Sequence, residues 1–449
     1  IILKPIYNIG FFYFIKLNKR VNNMSMKILI FEDTSYKNLY PLNMLRGTYD
    51  IKCGANTILE RYESILASKF DISLHCRNIL AAYMKEIHTK EINSISKDDY
   101  LLLNGKVIFS EDSLTKLISK KKKNSYYVFN NEPVAAYITK SNAGILKERV
   151  ESIVVSGNLN LFDIEFFEKS GFIKIDVSDT EGIKVINYSW DIIGHLLNNG
   201  LEDDIECFLK AKQAKKFKRI KNSESFINEK AILVSDNVNV YPDVILDASG
   251  GKILIGENTV IEPFTFIKGP VFIGKNVTIK SGTKIYGPCV IGEHSKVAGE
   301  IAESVLHSYV NKQHDGFIGH SYICPFVNLG ADTVTSDLNN NYSKIKIRLN
   351  GNEIETGMQF LGSIIGDHTK TSINTMLNTG TISGIFANIF GSGFPPKILR
   401  SFSWNESGRK STAYELVKAV ETAKIVMKRR RIDMSAEYAK LMGYYSKGG

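Results

Sequence analysis

From Ile253 to Val297 an aliphatic residue recurs at every sixth position: Ile255, Ile261, Ile267, Ile273, Ile279, Ile285, Ile291 and Val297. Two positions before each stands a smaller or mostly β-branched one: Ile253, Thr259, Thr265, Val271, Val277, Thr283, Cys289 and Ser295. A period of six suits neither an amphipathic helix nor an alternating strand. It predicts a hexapeptide solenoid, in which three short flat faces close a triangular coil of roughly eighteen residues and each coil stacks on the last. The aliphatic side chain points into the prism and the smaller one sits near a corner. Gly256, Gly274, Gly282 and Gly292 are expected at corners that crowd a side chain or require positive φ.

The same spacing starts earlier, at Val234, Val240 and Leu246, with Ile232, Val238 and Val244 beside them. The longer step from Leu246 to Ile255 predicts a corner loop at Asp247–Gly251. After Val297 the register is lost, then resumes at Phe317, Ile323, Leu329 and Thr335, with Ser321, Val327 and Thr333. A polar segment at 336–357 interrupts again, and a last coil reads Ile365, Thr371, Leu377 and Ser383. Interruptions of a solenoid tend to carry function, because the coils are used up in stacking.

Upstream the pattern changes to short apolar runs between polar turns. Residues 27–31, 100–104, 106–109, 126–129, 135–139 and 182–187 read as strands, and Asn56–Ala67 and Asp191–Lys210 as helices. This alternation predicts an α/β sheet, which binds ligands at the carboxyl ends of its strands. Lys210–Ser225 and Lys120–Lys123 are dense in basic residues and read as solvated faces. A helix is expected from Ser411 to about Arg431, with Leu416, Val420, Ala423 and Met427 on one face to cap the solenoid. The expected segments are 1–25, upstream or disordered; 26–209, α/β; 210–228, linker; 229–386, β-helix; and 387–449, C-terminal loop and helix.

Composition narrows this picture only slightly. Hydrophobic content of 43% and charged content of 23% are those of a soluble globular protein. Beyond the first 23 residues, 53 Lys and Arg face 47 Asp and Glu, so the formal charge of +10 falls to +6. That excess suits anionic small molecules and does not imply nucleic acid. Five scattered cysteines without metal-like spacing point to a reducing compartment, the cytoplasm. Ile6–Ile15 is too short an apolar run to span a bilayer, so no membrane association is expected.

The richest polar cluster is 311–337. His314 precedes the resumed register, at a corner where its imidazole projects outward as a general base for an amine attacking an acyl group. A backbone N–H in the Asn328–Ala331 turn offers an oxyanion donor. The plainer reading makes His314 and His320 surface hydrogen-bonding residues. In the first domain, Arg46, Lys52 and the loop around Gly54 are candidate phosphate ligands.

These features together resemble the bifunctional enzymes that acetylate glucosamine 1-phosphate and couple the product to UTP. The resemblance runs from Lys27 onward. It is closer still to bacterial relatives common in Bacteroidetes and described as sugar nucleotidyltransferases or UDP-N-acetylglucosamine diphosphorylase-like proteins. Its most specific stretches are PLNMLRGTYDIKCGANTILERYE (41–63), YSWDI (188–192), NKQHDGFIGHSYICPFVNLGADT (311–333), ANIFGSGFPPKILRSFSW (387–404) and AVETAKIVMKRR (419–430). It implies a nucleotidyltransferase-like α/β domain, then a left-handed parallel β-helix with a C-terminal capping helix. It also implies a homotrimer, acetyl-CoA as co-substrate, and a nucleoside triphosphate and a sugar 1-phosphate as partners, with Mg²⁺ for nucleotidyl transfer.

The resemblance places His314 at the catalytic histidine, Asn328 on the sugar, the Ala331 N–H near the acetyl carbonyl and Lys344 on phosphate. Phe317 stands where the family has tyrosine, Asp337 and Leu338 where it has an Asn-Tyr pair, and Lys284 where it has arginine. The α/β domain lacks the Gly-rich triphosphate loop, and Arg46, Asp50 and Lys52 match the relatives' own pattern instead. Asn104 stands where a metal-holding Asp is expected, a weaker Mg²⁺ ligand. Asp33, Asp50 or Asp191 are substitutes, each with a salt bridge or helix cap as its plain reading. The implied activity is a transferase making a UDP-N-acetylglucosamine-type nucleotide sugar. The alternatives are an acyltransferase whose first domain only senses a nucleotide sugar, and a trimeric scaffold without catalysis.

Overall fold

A computed structural model of the protein describes residues 26–151, 162–210, 216–220 and 224–448. The expectations for 1–25 and for part of the 210–228 linker fall outside these residues.

The first domain runs β1 (Met26–Phe31), α1 (Ile58–Leu66), β2 (Ile72–His75), α2 (Asn78–Ile87), β3 (Asp99–Asn104), β4 (Val107–Phe109) and α3 (Glu111–Ser119). It continues through β5 (Ser125–Phe129), β6 (Glu132–Ile138), α4 (Ala143–Glu151), α5 (Ile164–Lys169), β7 (Ile173–Asp176), β8 (Ile183–Val185), α6 (Asp191–His195) and α7 (Leu201–Lys210). Its six-stranded sheet has the order β2-β1-β3-β6-β5-β7, with β1 parallel to both β2 and β3 and antiparallel pairing of β3 with β6 and β6 with β5. Strand alternation divides the core. Ile28 and Ile30 of β1 join the apolar mass under α1 and α2, whereas Leu29 and Phe31 meet Phe162, Phe167 and Leu146 on the other side. The β5–β6 hairpin turns through Asn130 and Asn131, both at positive φ, as a tight two-residue turn requires. The single helix expected at Asp191–Lys210 is broken. Asn198 and Asn199 leave helical angles, and a side chain on Gly200 would collide with His195.

Beyond Phe226 the chain winds as the three-sided parallel β-helix that the hexad pattern predicts. All eight aliphatic residues from Ile255 to Val297 are fully buried. The first face stacks Ile255, Ile273, Ile291, Leu306, Ile323 and Ile365; the second, Ile261, Ile279 and Val297; the third, Ile267, Ile285, Ile301 and Ile318. Shortening Ile273 to Ala should therefore cost roughly 2–5 kcal/mol, read by chemical unfolding. A loss under about 1 kcal/mol would contradict its place in the stack.

Two expectations about register are corrected. The coil does not stop after Val297; it passes through Ile301, Leu306 and Lys312 to Ile318, because corners lose residues and the inward positions no longer fall six apart. Ile318, not Phe317, is the inward residue, and Phe317 faces outward, half-buried. The coil also continues past residue 386. Ala387–Phe390 pairs with Ser403–Glu406 and Ile382 with Ile398. Its later inward positions hold Thr371, Ser383 and Asn405, so the apolar signature fades while the backbone ladder persists.

Corner glycines also divide by role. Gly256, Gly274 and Gly292 lie within 3 Å, at an added Cβ, of the next coil's backbone, and among the four predicted corner glycines only Gly282 has positive φ. The left-handed position falls two residues later, on Asn258, Asn276 and His294, and continues on Tyr309, Phe326, His368, Phe386 and Phe402. From His294 onward these rings stack at 4.5–4.9 Å, which offsets the backbone cost of that conformation.

The outward residues of the first face are apolar and buried: Leu254, Phe272, Val290, Val305, Tyr322 and Ile364. Segment 40–56 of the α/β domain covers them. Tyr322 Oη donates to the Lys52 carbonyl at 3.1 Å, and the Lys52 ammonium stands 5.8 Å over the Phe272 ring. The two domains share one continuous hydrophobic core. Two C-terminal helices, α8 (Leu416–Lys428) and α9 (Ala436–Ser446), follow the coil. Tyr438 of α9 meets Tyr83 of α2 and bonds His368 Nε2 at 2.9 Å, tying both domains together.

Candidate active sites

The corner between the second and third faces gathers the sequence-predicted acyl-transfer residues. Its successive levels are Gln313–Gly316, Gly330–Asp332 and Ser372–Asn374, joined by backbone bonds from Asp332 N to Asp315 O (3.0 Å) and from Asn374 N to Ala331 O (2.8 Å). His314 is exposed on the upper level and Ala331 sits on the next. Gly316, at φ +120, has Thr333 O only 2.3 Å from where a Cβ would be, so the turn closes tightly. Phe317 begins the third face, paired with Glu300, which in turn meets Lys284 at 3.5 Å. Asn328 lies on the second face between Asn311 and Lys370, and its Oδ1 accepts from Asn311 Nδ2 at 2.6 Å. His314, Phe317, Asn328 and Ala331 thus share one edge within two coils.

Lys344 is elsewhere. It is exposed on the insertion that leaves the coil after Thr335 and carries the hairpin Lys346–Leu349 with Asn352–Glu355. His320, left as a surface residue by the sequence, is buried at the root of this insertion. Its Nδ1 meets Asp337 at 2.9 Å, its Nε2 meets Glu303 at 3.1 Å, and its ring stacks on Phe360. Asp337 begins the insertion and Phe360 ends it, so His320 clamps both its ends to the coil.

The phosphate expectation for Arg46 and Lys52 is corrected by their surroundings. Arg46 is 7% exposed, donates to the Leu42 carbonyl and pairs with Asp367 of the β-helix. Burial lowers the Arg46 pKa, but Asp367 together with Cys324 and Tyr322 leaves it above its ordinary value. Lys52 donates to the Ala55 carbonyl at 3.0 Å under the first face. Asp50 is paired with His88 at 3.1 Å, and this carboxylate raises the His88 pKa against burial. Arg46 and Lys52 meet the β-helix and Asp50 is tied within the α/β domain, instead of lining an open site.

At the carboxyl ends of β1 and β3, where an α/β sheet places its ligands, a different cluster forms. Asn104 Nδ2 donates to Asp33 Oδ2 and to the Pro133 carbonyl, both at 2.7 Å. The Lys106 ammonium, buried, reaches Ser35 Oγ (2.6 Å), Glu132 Oε2 (2.9 Å), Asn187 Oδ1 (3.0 Å) and Asp33 Oδ2 (3.2 Å). Asp191 closes the preceding turn by accepting from Asn187 N and Tyr188 N, and burial raises its carboxyl. Lys106, Glu132 and Asn187 escaped the sequence reading, since no periodicity links residues 81 positions apart.

The Mg²⁺ expectation does not fit this cluster. Asp33 Oδ1 already accepts from Ser35 N and Oγ, and Oδ2 from Asn104 and Lys106, so an arriving divalent ion would meet a saturated carboxylate and an ammonium. Among the described residues no group of three or more His, Cys, Asp or Glu side chains is arranged to hold a metal.

These two sites belong to an α/β domain fused to a hexapeptide β-helix, and the chain is similar to known transferases. Residues 28–213 match the family model described as sugar nucleotidyl transferase. A bifunctional sugar-1-phosphate nucleotidylyltransferase/acetyltransferase of Sulfurisphaera tokodaii is 33% identical over 159 residues, 35% of this chain and 37% of that one. The bifunctional protein GlmU of Methanococcus aeolicus is 27% identical over 302 residues, 64% of this chain and 69% of that one. An uncharacterized acetyltransferase, YaiX, of Escherichia coli is 36% identical over 148 residues, 32% of this chain and 64% of that one. The chain therefore spans little more than a third of the Sulfurisphaera relative's length. Among the described residues no helix is long and apolar enough to cross a membrane.

Proposed function

We propose that this chain is a cytoplasmic sugar-phosphate transferase whose β-helix moves an acetyl group from acetyl-CoA to an amino-sugar phosphate. The observation that carries the reading is the convergence of His314, Phe317, Asn328 and Ala331 on one edge within two coils. His314 takes the proton as the sugar amine attacks the thioester carbon and the C–N bond forms. The Ala331 N–H holds the tetrahedral oxyanion, the C–S bond then breaks, and the imidazolium returns its proton to the departing CoA sulfur. Asn328 orients the sugar and Phe317 covers its apolar side, while the phosphate role the resemblance gives Lys344 needs the insertion that carries it to reach this corner.

The α/β domain then couples a sugar 1-phosphate to a nucleoside triphosphate: the sugar-phosphate oxygen attacks the α-phosphorus, the α–β P–O bond breaks and pyrophosphate leaves, giving a UDP-N-acetylglucosamine-type product. Its seat is the rim around Asn104 at the carboxyl ends of β1 and β3, where Lys106 is already held by Ser35, Glu132, Asn187 and Asp33. A homotrimer with acetyl-CoA along the outer groove, and kinship with the Bacteroidetes-type group, follow the same resemblance. A second reading, favoured by the internal use of Arg46 and Lys52, keeps the acyltransferase and makes the first domain a sensor of nucleotide sugars.

Purified protein offered UTP with sugar 1-phosphates, and separately acetyl-CoA with amino-sugar phosphates, tests both. Product in both assays is expected. Product only with acetyl-CoA selects the second reading, and product in neither over a broad panel would leave the scaffold.

A further inference from the structure

Lys312 occupies an inward position of the prism. Along the second face it stacks between Val297 and Leu329, where neighbouring coils place Ile261, Ile279 and, further on, Ile389. Its side chain is fully buried, and no ion pair to it is present among the described residues. An ammonium in a dry interior is costly without partners, and a Met or Leu would fill the same space more cheaply. Its partners are backbone carbonyls: Nζ donates to Ala298 O at 3.4 Å, Asp315 O at 2.8 Å and His314 O. Three donors meet three acceptors.

The reason lies in the corner. From Val297 to Ile301 the coil above turns within Ala298 and Gly299, whereas from Lys312 to Ile318 this level needs Gln313–Gly316. The longer turn overhangs the shorter, and the carbonyls of His314 and Asp315 turn back toward the prism. Asp332 N also reaches the Asp315 carbonyl, whereas the His314 carbonyl is met from inside by the long Lys312 side chain. The His314 backbone is thereby fixed from behind while its imidazole stands free in front.

We propose that Lys312 is a positioning residue, an internal clamp that sets the general base of the acyl-transfer corner. The proposal rests on the reading of His314 as that base. Displacing a reacting group by about 1 Å costs on the order of 100-fold in rate. Lys312→Met keeps the stem and removes the donors. It should lower kcat roughly 10- to 100-fold while KM for acetyl-CoA and for the acceptor changes less than about twofold. Thermal stability should hold or rise, because a buried charge has gone.

A second readout is pH. Burial, against the pull of Asp315 and Asp332, pushes the Lys312 ammonium down to about 8. Above that pH the clamp loses a donor, so wild-type kcat should decline on its alkaline side and the Lys312→Met profile should lack that limb. A Lys312→Met enzyme with wild-type kcat, or one that keeps the alkaline limb, overturns the proposal. His314→Ala run in parallel separates the two failures. Lost activity there with an intact Lys312→Met enzyme sinks the clamp alone, whereas retained activity in His314→Ala sinks the base reading beneath it.

Discussion

Replacing His314 by alanine lowers acetyl transfer by roughly 100- to 10,000-fold, the range general-base catalysis supplies. The side chain is exposed, and the bonds that shape its corner run through its backbone carbonyl, which alanine retains. Thermal unfolding should therefore stay within about a degree of wild type, since an exposed substitution away from packing changes stability by at most a few tenths of a kcal/mol. Loss of turnover with an unchanged melting curve is the expected pair of results. Normal acetylation by His314→Ala removes the base assignment. The fully buried Ile255–Val297 stack would be untouched by that outcome.

The largest effect on stability is expected at Arg46. Its substitution by methionine strands the Asp367 carboxylate, 1% exposed, whose Oδ2 already lacks a hydrogen-bond partner. Breaking a buried pair from one side costs about 3–5 kcal/mol, because an uncompensated charge is left behind. Burial pushes the Asp367 carboxyl up and Arg46 pulls it down without cancelling the rise. A carboxyl raised in the folded state stabilises below its unfolded pKa and loses that contribution as pH climbs through the folded value. Removing Arg46 raises it further, so the deficit of Arg46→Met should be larger at pH 7 than at pH 5. Arg46→Met combined with Asp367→Leu should recover most of the loss. Unfolding in denaturant at the two pH values reads all of this. An Arg46→Met protein as stable as wild type would instead return the guanidinium to the role of free phosphate ligand.

How much of this was legible in the chain depends on how local the signal is. The hexads from Ile255 to Val297 fix the direction of each side chain because the coil repeats without deletion there. Just past Val297 the corners shorten and an inward residue becomes a lysine, so the hexad register is lost until Ile323, and beyond Ser383 the inward position passes to Asn405, outside any aliphatic pattern. Lys312 was invisible for the same reason. His314, Phe317, Asn328 and Ala331 were found from corner placement and family spacing, both of which survive in sequence. The segment 41–63 was recognisable as special, but its purpose was not. Arg46 and Lys52 look like phosphate ligands until the covered face of the β-helix is seen beneath them. Contacts between domains leave no periodic trace.

A structure of the protein with acetyl-CoA, or with CoA and an amino-sugar phosphate, reaches the central claim most directly. The account predicts the thioester carbonyl within hydrogen-bond distance of the Ala331 N–H and the acceptor amine beside the His314 imidazole. CoA seated on the ring-stacked corner of His294 to Phe402, or bound far from both residues, would contradict it.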